Sequence, residues 1–238
     1  MSLALEITNL EKIFTLHILG GKKIHALNNL SFSLEKGEAI GLIGKSGSGK
    51  STLMKCIYRT NLATNGKIIY HSRQFGPIDL VTANEYTILQ LRKSEITYCS
   101  QFLEVIPRVT AVDIVAENLV KKGTSYEYAR NISKELLHKL LLPEELWDAF
   151  PSTFSGGEQQ RVNVAKAIIA QPNFLLIDEP TASLDPKVKS VVINLILDLK
   201  KIGTSIICIS HDQFTLEKMS DRSLELIDGK IVNDKILT

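Results

Sequence analysis

Two stretches carry side chains whose types and spacing suit phosphoryl chemistry. Gly44-Lys45-Ser46-Gly47-Ser48-Gly49-Lys50-Ser51 matches GxxxxGK[ST], and Thr52 follows it. The pattern lies between a short apolar run at 38–44 and a segment reading as a helix over 50–59, the context such a loop requires. Glycines let backbone N–H groups turn inward around phosphates, and the helix N-terminus adds partial positive charge. Lys50 would reach the β- and γ-phosphates, and the Ser51 hydroxyl would ligate Mg²⁺. A bare glycine-rich turn is the plain alternative, but it requires neither the strand nor the lysine. The second stretch is Phe174-Leu175-Leu176-Ile177-Asp178-Glu179-Pro180. Its apolar run reads as a buried strand that presents two adjacent carboxylates at its end. Successive strand residues face opposite ways, so Asp178 would hold Mg²⁺, through water, and Glu179 would polarise an attacking water. Taken alone, the run is equally a buried strand ending in a solvated acidic turn.

A third stretch, Phe154-Ser155-Gly156-Gly157-Glu158-Gln159-Gln160-Arg161, opens a helix. Ser155 and Glu158 form an S-x-x-E capping box. That box accounts for Ser155 and Glu158 as caps of their own helix. It leaves unexplained the exposed N–H groups at Gly156 and Gly157, which suit an anion.

Bulk properties bound the rest. The chain has 238 residues, with 44% hydrophobic and 23% charged, which suits a soluble globular protein with a sizeable core. Lys+Arg 28 against Asp+Glu 26 gives +2, so global charge directs it toward neither nucleic acid nor an anionic membrane. Cys56, Cys99 and Cys208 are far apart and show no metal spacing; they read as buried free thiols in a reducing compartment. No N-terminal leader pattern appears, and no apolar run approaches the ~20 residues that span a bilayer. The chain therefore reads as cytoplasmic, and any membrane part of its system as another chain.

The elements that must position these groups alternate. Strand-like pieces appear at 3–10, 13–18 and 23–32, with Gly20-Gly21 as a hairpin turn. Others lie at 67–70 and 95–100. From about Pro107 to Pro151 the period becomes helical: Val112, Val115, Ala116, Leu119 and Val120, then Ile132, Leu136, Leu137 and Leu140. Trp147 reads as packing within this helical part. Strands and helices then alternate through 174–177, 186–202, 205–210, 223–227 and 230–236, which argues for a parallel sheet flanked by helices. Asp185, Pro186 and Gly203 bound the helix at 186–202.

The phosphate loop at 44–52, the acidic strand at 174–179 and the Ser155-Gly156-Gly157 segment together resemble the ABC ATPase family, over essentially the whole chain. The resemblance implies an α/β P-loop NTPase fold: a RecA-like parallel-sheet core, an N-terminal antiparallel β-subdomain and an inserted α-helical subdomain. It implies one domain over 1–238, with core at about 1–104 and 157–238 and the helical subdomain at about 105–156. By the same resemblance ATP and Mg²⁺ are the ligands, and the reaction is hydrolysis of ATP to ADP and phosphate. Gln101 resembles the Q-loop glutamine that contacts Mg²⁺ or water. His211 resembles the switch histidine on the γ-phosphate, and Asp185 lies in a D-loop-like Ser183-Leu184-Asp185. Phe14 aligns with an aromatic that stacks on adenine, usually a tyrosine, though ordinary edge-strand packing explains it as well. Phe154 stands where leucine is commoner. Two copies, or this chain and a sister subunit, would sandwich two ATP molecules. Each site would take its P-loop from one chain and its Ser155 loop from the other.

A finer resemblance rests on Tyr98-Cys99-Ser100-Gln101-Phe102-Leu103-Glu104-Val105-Ile106-Pro107-Arg108, on 79–83 and on 142–163. These are similar to the ATP-binding subunit of the phosphonate carbon–phosphorus lyase system, which implies soluble phosphonate-lyase core proteins as partners. The alternative is the ATPase of an ABC exporter of the lipoprotein-release or macrolide-efflux type. It would sit at the inner membrane with an integral membrane permease against the surface near Gln101 and the helical insertion. A third possibility, a clamp that binds ATP without hydrolysis, is disfavoured by intact Glu179 and His211.

Overall fold

The computed structural model describes residues 2–16 and 21–237; of the expected hairpin, Ile18 and Gly20 lie outside the described residues. In chain order the strands are β1 (Leu3–Leu16), β2 (Lys22–Glu35), β3 (Ala39–Ile43), β4 (Asn65–Ser72), β5 (Gly76–Asp79), β6 (Ile96–Cys99), β7 (Phe174–Asp178), β8 (Ser205–Ile209), β9 (Arg222–Ile227) and β10 (Lys230–Ile236). The helices are α1 (Lys50–Ile57), α2 (Glu85–Ser94), α3 (Ala111–Lys121), α4 (Tyr126–Lys139), α5 (Gly156–Ile168), α6 (Pro186–Lys201) and α7 (Gln213–Met219).

Apolar residues run almost unbroken along β3, β7 and β8, as strands covered on both faces require. Their alternate side chains feed two separate cores. Leu175, Ile177, Ile206 and Cys208 join one core, with α3, α5 and α6. Phe174, Leu176, Ile207 and Ile209 join the other, with α1, β1 and β2. The strands form a six-stranded sheet in the order β10-β9-β3-β8-β7-β6. It is parallel except for β10 against β9. A second, antiparallel sheet runs β2-β1-β4-β5. This is the expected P-loop NTPase architecture of the ABC ATPase kind.

Differences from expectation are local. β1 continues to Leu16 through register shifts at Ile7/Leu10 and Leu10/Lys12, with Asn9 left-handed at φ 49°. Those bulges blur the period-2 alternation. Three short elements, β5, α2 and α7, carry too few buried residues to show a period; α2 buries only Ile88 and Leu91. Val120, grouped with the helical apolar stripe, is exposed instead. Trp147 packs against the α3–α5 core, and its Nε1 donates to the Leu142 carbonyl at 3.1 Å. All three cysteines are free and buried.

Candidate active site

β3 delivers the chain into the glycine loop, and α1 leaves it. Gly44 has φ 141°, and a Cβ there would fall 2.3 Å from the Leu226 carbonyl oxygen. Gly49 has φ 107°, and a Cβ there would fall 2.5 Å from the Ala26 oxygen. Both positions therefore exclude any side chain. Ser46 and Gly47 lie on the exposed rim, whereas Ser48 and Lys50 are buried and Thr52 is half-buried. Lys50 Nζ donates to the carbonyls of Gly44 at 2.7 Å and Lys45 at 3.0 Å. Burial lowers its pKa, opposed by the charges of Asp178 and Glu179. Ser48 Oγ is buried without a hydrogen-bond partner among the described residues.

β7 ends against this loop. Ser51 Oγ donates to Asp178 Oδ2 at 3.1 Å. Burial holds Asp178 above the usual carboxylate range, while Ser51, Lys50 and Lys55 pull it back. Glu179 follows with φ 51°. Its N–H donates to the Ile209 oxygen at 2.9 Å. Its Oε1 is buried with no hydrogen-bond partner among the described residues, and it lies 3.7 Å from His211 Nε2. Burial pushes the Glu179 pKa up, and His211 opposes the push. Ser48 Oγ and Glu179 Oε1 are thus two buried polar atoms of this site without a protein partner among the described residues, free to take a polar ligand.

The donor set fits magnesium. Ser51 Oγ and the Asp178 carboxylate are hard oxygen donors, and Mg²⁺ is typically held by one or two carboxylates plus substrate phosphates. Among the described residues no cluster of three His, Cys, Asp or Glu is present to hold a metal alone.

Gln101 is exposed just beyond β6. It lines one groove of about 1270 Å³ together with Ser51, Asp178, Phe102 and Val120. Ser155, Gly156 and Gly157 do not line it. Ser155 caps α5: its N–H donates to Glu158 Oε2 at 2.7 Å, and its Oγ accepts from Glu158 N at 3.4 Å. Ser155 and Gly156 are exposed, turned to the outside of the chain. Asp185 caps α6 by accepting from Lys187 N and Val188 N at 3.0 and 3.1 Å. Phe14 pairs with Ile24 across β1–β2, and Lys12 Nζ stands 4.7 Å from its ring centroid. Thus Lys50, Ser51, Asp178, Glu179 and His211 converge, with Gln101 at the groove. Ser155–Gly157 and Asp185 sit on other surfaces.

Two buried amides were not legible from sequence. Gln160 Nε2 donates to the Glu179 oxygen at 3.0 Å, and Asn163 Nδ2 donates to the Ser100 oxygen at 2.6 Å. Only their position on a capped helix near the acidic strand hinted at them.

Residues 27–182 match the family described as ABC transporter. The chain belongs to that family. It is 35% identical over 208 residues to the lipoprotein-releasing system ATP-binding protein LolD of Aquifex aeolicus, covering 87% of this chain and 90% of that one. It is 34% identical over 222 residues to the LolD of Legionella pneumophila, covering 93% and 95%. In structure it is similar to the dimeric post-hydrolysis state of the ATP-binding cassette MJ0796 bound to ADP and Pi. That likeness has a TM-score of 0.89 at 28% identity, over 98% of this chain and 99% of that one. This ABC cassette is accordingly an ATPase that works on ATP with Mg²⁺. The phosphonate-lyase resemblance gains no support: both relatives belong to lipoprotein-releasing systems. Among the described residues no helix is long and apolar enough to cross a membrane.

Proposed function

We propose that the chain is the ATP-hydrolysing subunit of a membrane transport system of the lipoprotein-release type. It acts on the cytoplasmic face of the inner membrane, as a dimer enclosing two ATP molecules. One observation carries this reading. The groove that begins at Ser51 and Asp178 continues past Gln101 to exposed Phe102 and to exposed Val120 on α3. The Ser51–Asp178 corner of the nucleotide site and a surface suited to a second protein therefore share one groove. Phe102 is 75% exposed and Leu89 58%, beside Lys93 and Lys121. An apolar floor with a basic rim fits a short amphipathic permease helix carrying acidic residues. The lipoprotein-release names of these two relatives, and the dimeric state of the structural neighbour, support the same reading.

The residues then take these roles. Gly44, Ser46, Gly47, Ser48, Gly49 and Thr52 surround the phosphates, and Lys50 exchanges its two carbonyl partners for phosphate oxygens. Ser51, Asp178 and Gln101 hold Mg²⁺, which neutralises phosphate charge when bound. Glu179, buried and unpaired, orients the attacking water and takes its proton, and His211 steadies the γ-phosphate. Hydrolysis of this kind needs positioning and charge stabilisation more than covalent chemistry. Ser155, Gly156 and Gly157, at an exposed helix start, face the γ-phosphate held by the second chain, with Asp185 at the same seam. Phe14 stacks on adenine, with Lys12 against its ring. The core over about 1–104 and 157–238 carries the catalytic groups, and the segment at about 105–156 receives the permease.

The test is Glu179→Gln. Hydrolysis should fall by about 10²–10³ while ATP binds, and the loaded variant should elute as a dimer. Normal turnover would end the assignment of Glu179. Co-purification from membranes then settles the pathway: an integral permease supports transport, and phosphonate-pathway proteins without a permease overturn it.

A further inference from the structure

Helix α5 presents two different ends. Its start, Ser155 and Gly156, is exposed and lies off the chain's own groove. One turn further in, Gln160 and Asn163 are 4% and 6% exposed. They are three residues apart and so share a helix face. A buried primary amide needs an acceptor for its N–H groups, and each of these finds a main-chain carbonyl in a catalytic loop. Gln160 Nε2 donates to Glu179 at 3.0 Å; Asn163 Nδ2 donates to Ser100, the residue before Gln101, at 2.6 Å.

The first of these bonds meets an unusual backbone. Glu179 has φ 51°, a conformation that a non-glycine residue keeps only when its surroundings fix it. β8 holds its N–H through the Ile209 oxygen at 2.9 Å. The Glu179 carbonyl accepts from Gln160 Nε2 at 3.0 Å and from Ala182 N at 3.2 Å. The start of α5 is also close to the loop before α6, since a Cβ at Gly157 would fall 2.9 Å from the Ser183 oxygen. The helix is thus in register with Gln101, with Glu179 and with the outward Ser155 loop at once.

We propose that Gln160 and Asn163 are positioning residues that tie the helix closing one ATP site to the catalytic loops of its own chain's site, so that the two sites of the dimer fire together. This rests on the reading that Ser155–Gly157 faces the second chain's nucleotide. When that loop is seated on phosphate, α5 is fixed. The two amides then fix the Glu179 and Ser100 peptides, which aim the carboxylate and Gln101. An unseated helix leaves both loops free to drift, and a misplacement of about 1 Å costs about 10² in rate.

The experiment uses the full chain, with ATP binding, kcat, the Hill coefficient for ATP and the pH profile all measured. In Gln160→Ala and Asn163→Ala, ATP affinity should stay within about twofold, while kcat falls by about 10²-fold for the first. The Hill coefficient should exceed 1 in the parent chain and drop to 1 in both variants. Gln160→Glu separates positioning from packing. The introduced carboxyl donates to the Glu179 carbonyl only when protonated, and burial raises its titration. Its activity relative to the parent should therefore recover as pH falls. A parent Hill coefficient of 1 overturns the proposal. So does parental kcat in Gln160→Ala, or a pH-independent deficit in Gln160→Glu. Turnover in Glu179→Gln would instead signal that the ATPase assignment of that residue has failed. An inactive Glu179→Gln beside a normal Gln160→Ala rejects the coupling alone.

Discussion

Glu179 Oε1 and His211 Nε2 stand 3.7 Å apart in unlike surroundings, the carboxylate 10% exposed and the imidazole 68%. Burial raises the carboxyl pKa, and the histidine opposes that rise. Only the deprotonated carboxylate takes a proton from water. Hydrolysis should therefore fall on acidification at a pH above that of an ordinary glutamate. In His211→Ala the opposing charge is gone, so the acidic limb of kcat/KM should move further upward. If His211 steadies the γ-phosphate as proposed, activity should also drop by about 10²–10³. An acidic limb that stays in place or moves downward would show that the two side chains do not interact in the working enzyme.

The same burial has a stability cost. A folded-state pKa raised above the unfolded one means that the folded chain keeps a proton which the unfolded chain releases. Stability then declines as pH rises from the unfolded value, about 4.3 for glutamate, through the folded one, and stays lower above it. Glu179→Gln removes this term. The nucleotide-free variant should melt at a higher temperature than the parent near pH 7.5, and the gap should close below about pH 4. Calorimetry in the absence of ATP checks the sign; a lower Tm at neutral pH contradicts it.

What the sequence displayed and what it hid follow from the range of the interactions involved. The glycine loop was legible because its residue types and spacing form a contiguous motif, although the contacts that exclude a Cβ at Gly44 and Gly49 come from distant Leu226 and Ala26. Helix α6 was legible because Asp185, Pro186 and Gly203 punctuate it, and five of its residues are buried on one stripe. β1 was blurred by its bulges. α7 was missed although Asp212 caps it through Thr215 N at 3.0 Å, since seven residues show hardly two turns of period. Val120 was grouped with the core because helical spacing cannot tell a buried stripe from the wall of a groove. Gln160 and Asn163 stayed hidden because their acceptors are carbonyls brought near only by the tertiary fold. Phe102 was visible as a residue but not as an exposed one.

That exposure sets a prediction for the permease surface. An aromatic anchor buried at an interface contributes about 2 kcal/mol, near thirtyfold in affinity. Phe102→Asp should weaken permease association by at least that factor, since it also places a negative charge against the acidic helix proposed to dock there. ATP-dependent dimerisation, proposed to use the Ser155 loop, should persist. Affinity capture from detergent extracts and gel filtration with ATP measure the two separately. Equal permease recovery with Phe102→Asp would move the docking site elsewhere.

Glu95 supplies a control outside the catalytic groups. It is 4% exposed, at the C-cap of α2 just before β6. Its carboxylate accepts from Ser72 Oγ at 2.7 Å, Tyr70 Oη at 2.9 Å, Arg73 N at 3.0 Å and Gln74 N at 3.1 Å. Burial pushes its pKa up, but these donors more than offset that push, so it lies below the usual value. The stabilisation is therefore complete above the unfolded pKa and lost as pH falls through the folded one. Glu95→Ala removes the acceptor of four donors where β4 meets the parallel sheet, and leaves the buried Ser72 and Tyr70 hydroxyls without it. The cost should be about 3 kcal/mol, the scale of breaking a buried charged network, or about 6–12 °C in Tm for a chain of this size. The deficit should be full at pH 7 and narrow below about pH 4. Cooled well below its melting point, the variant should bind ATP as the parent does, because none of the four donors belongs to the nucleotide loop. A deficit that does not change with pH would mean that Glu95 acts by filling space rather than by its charge.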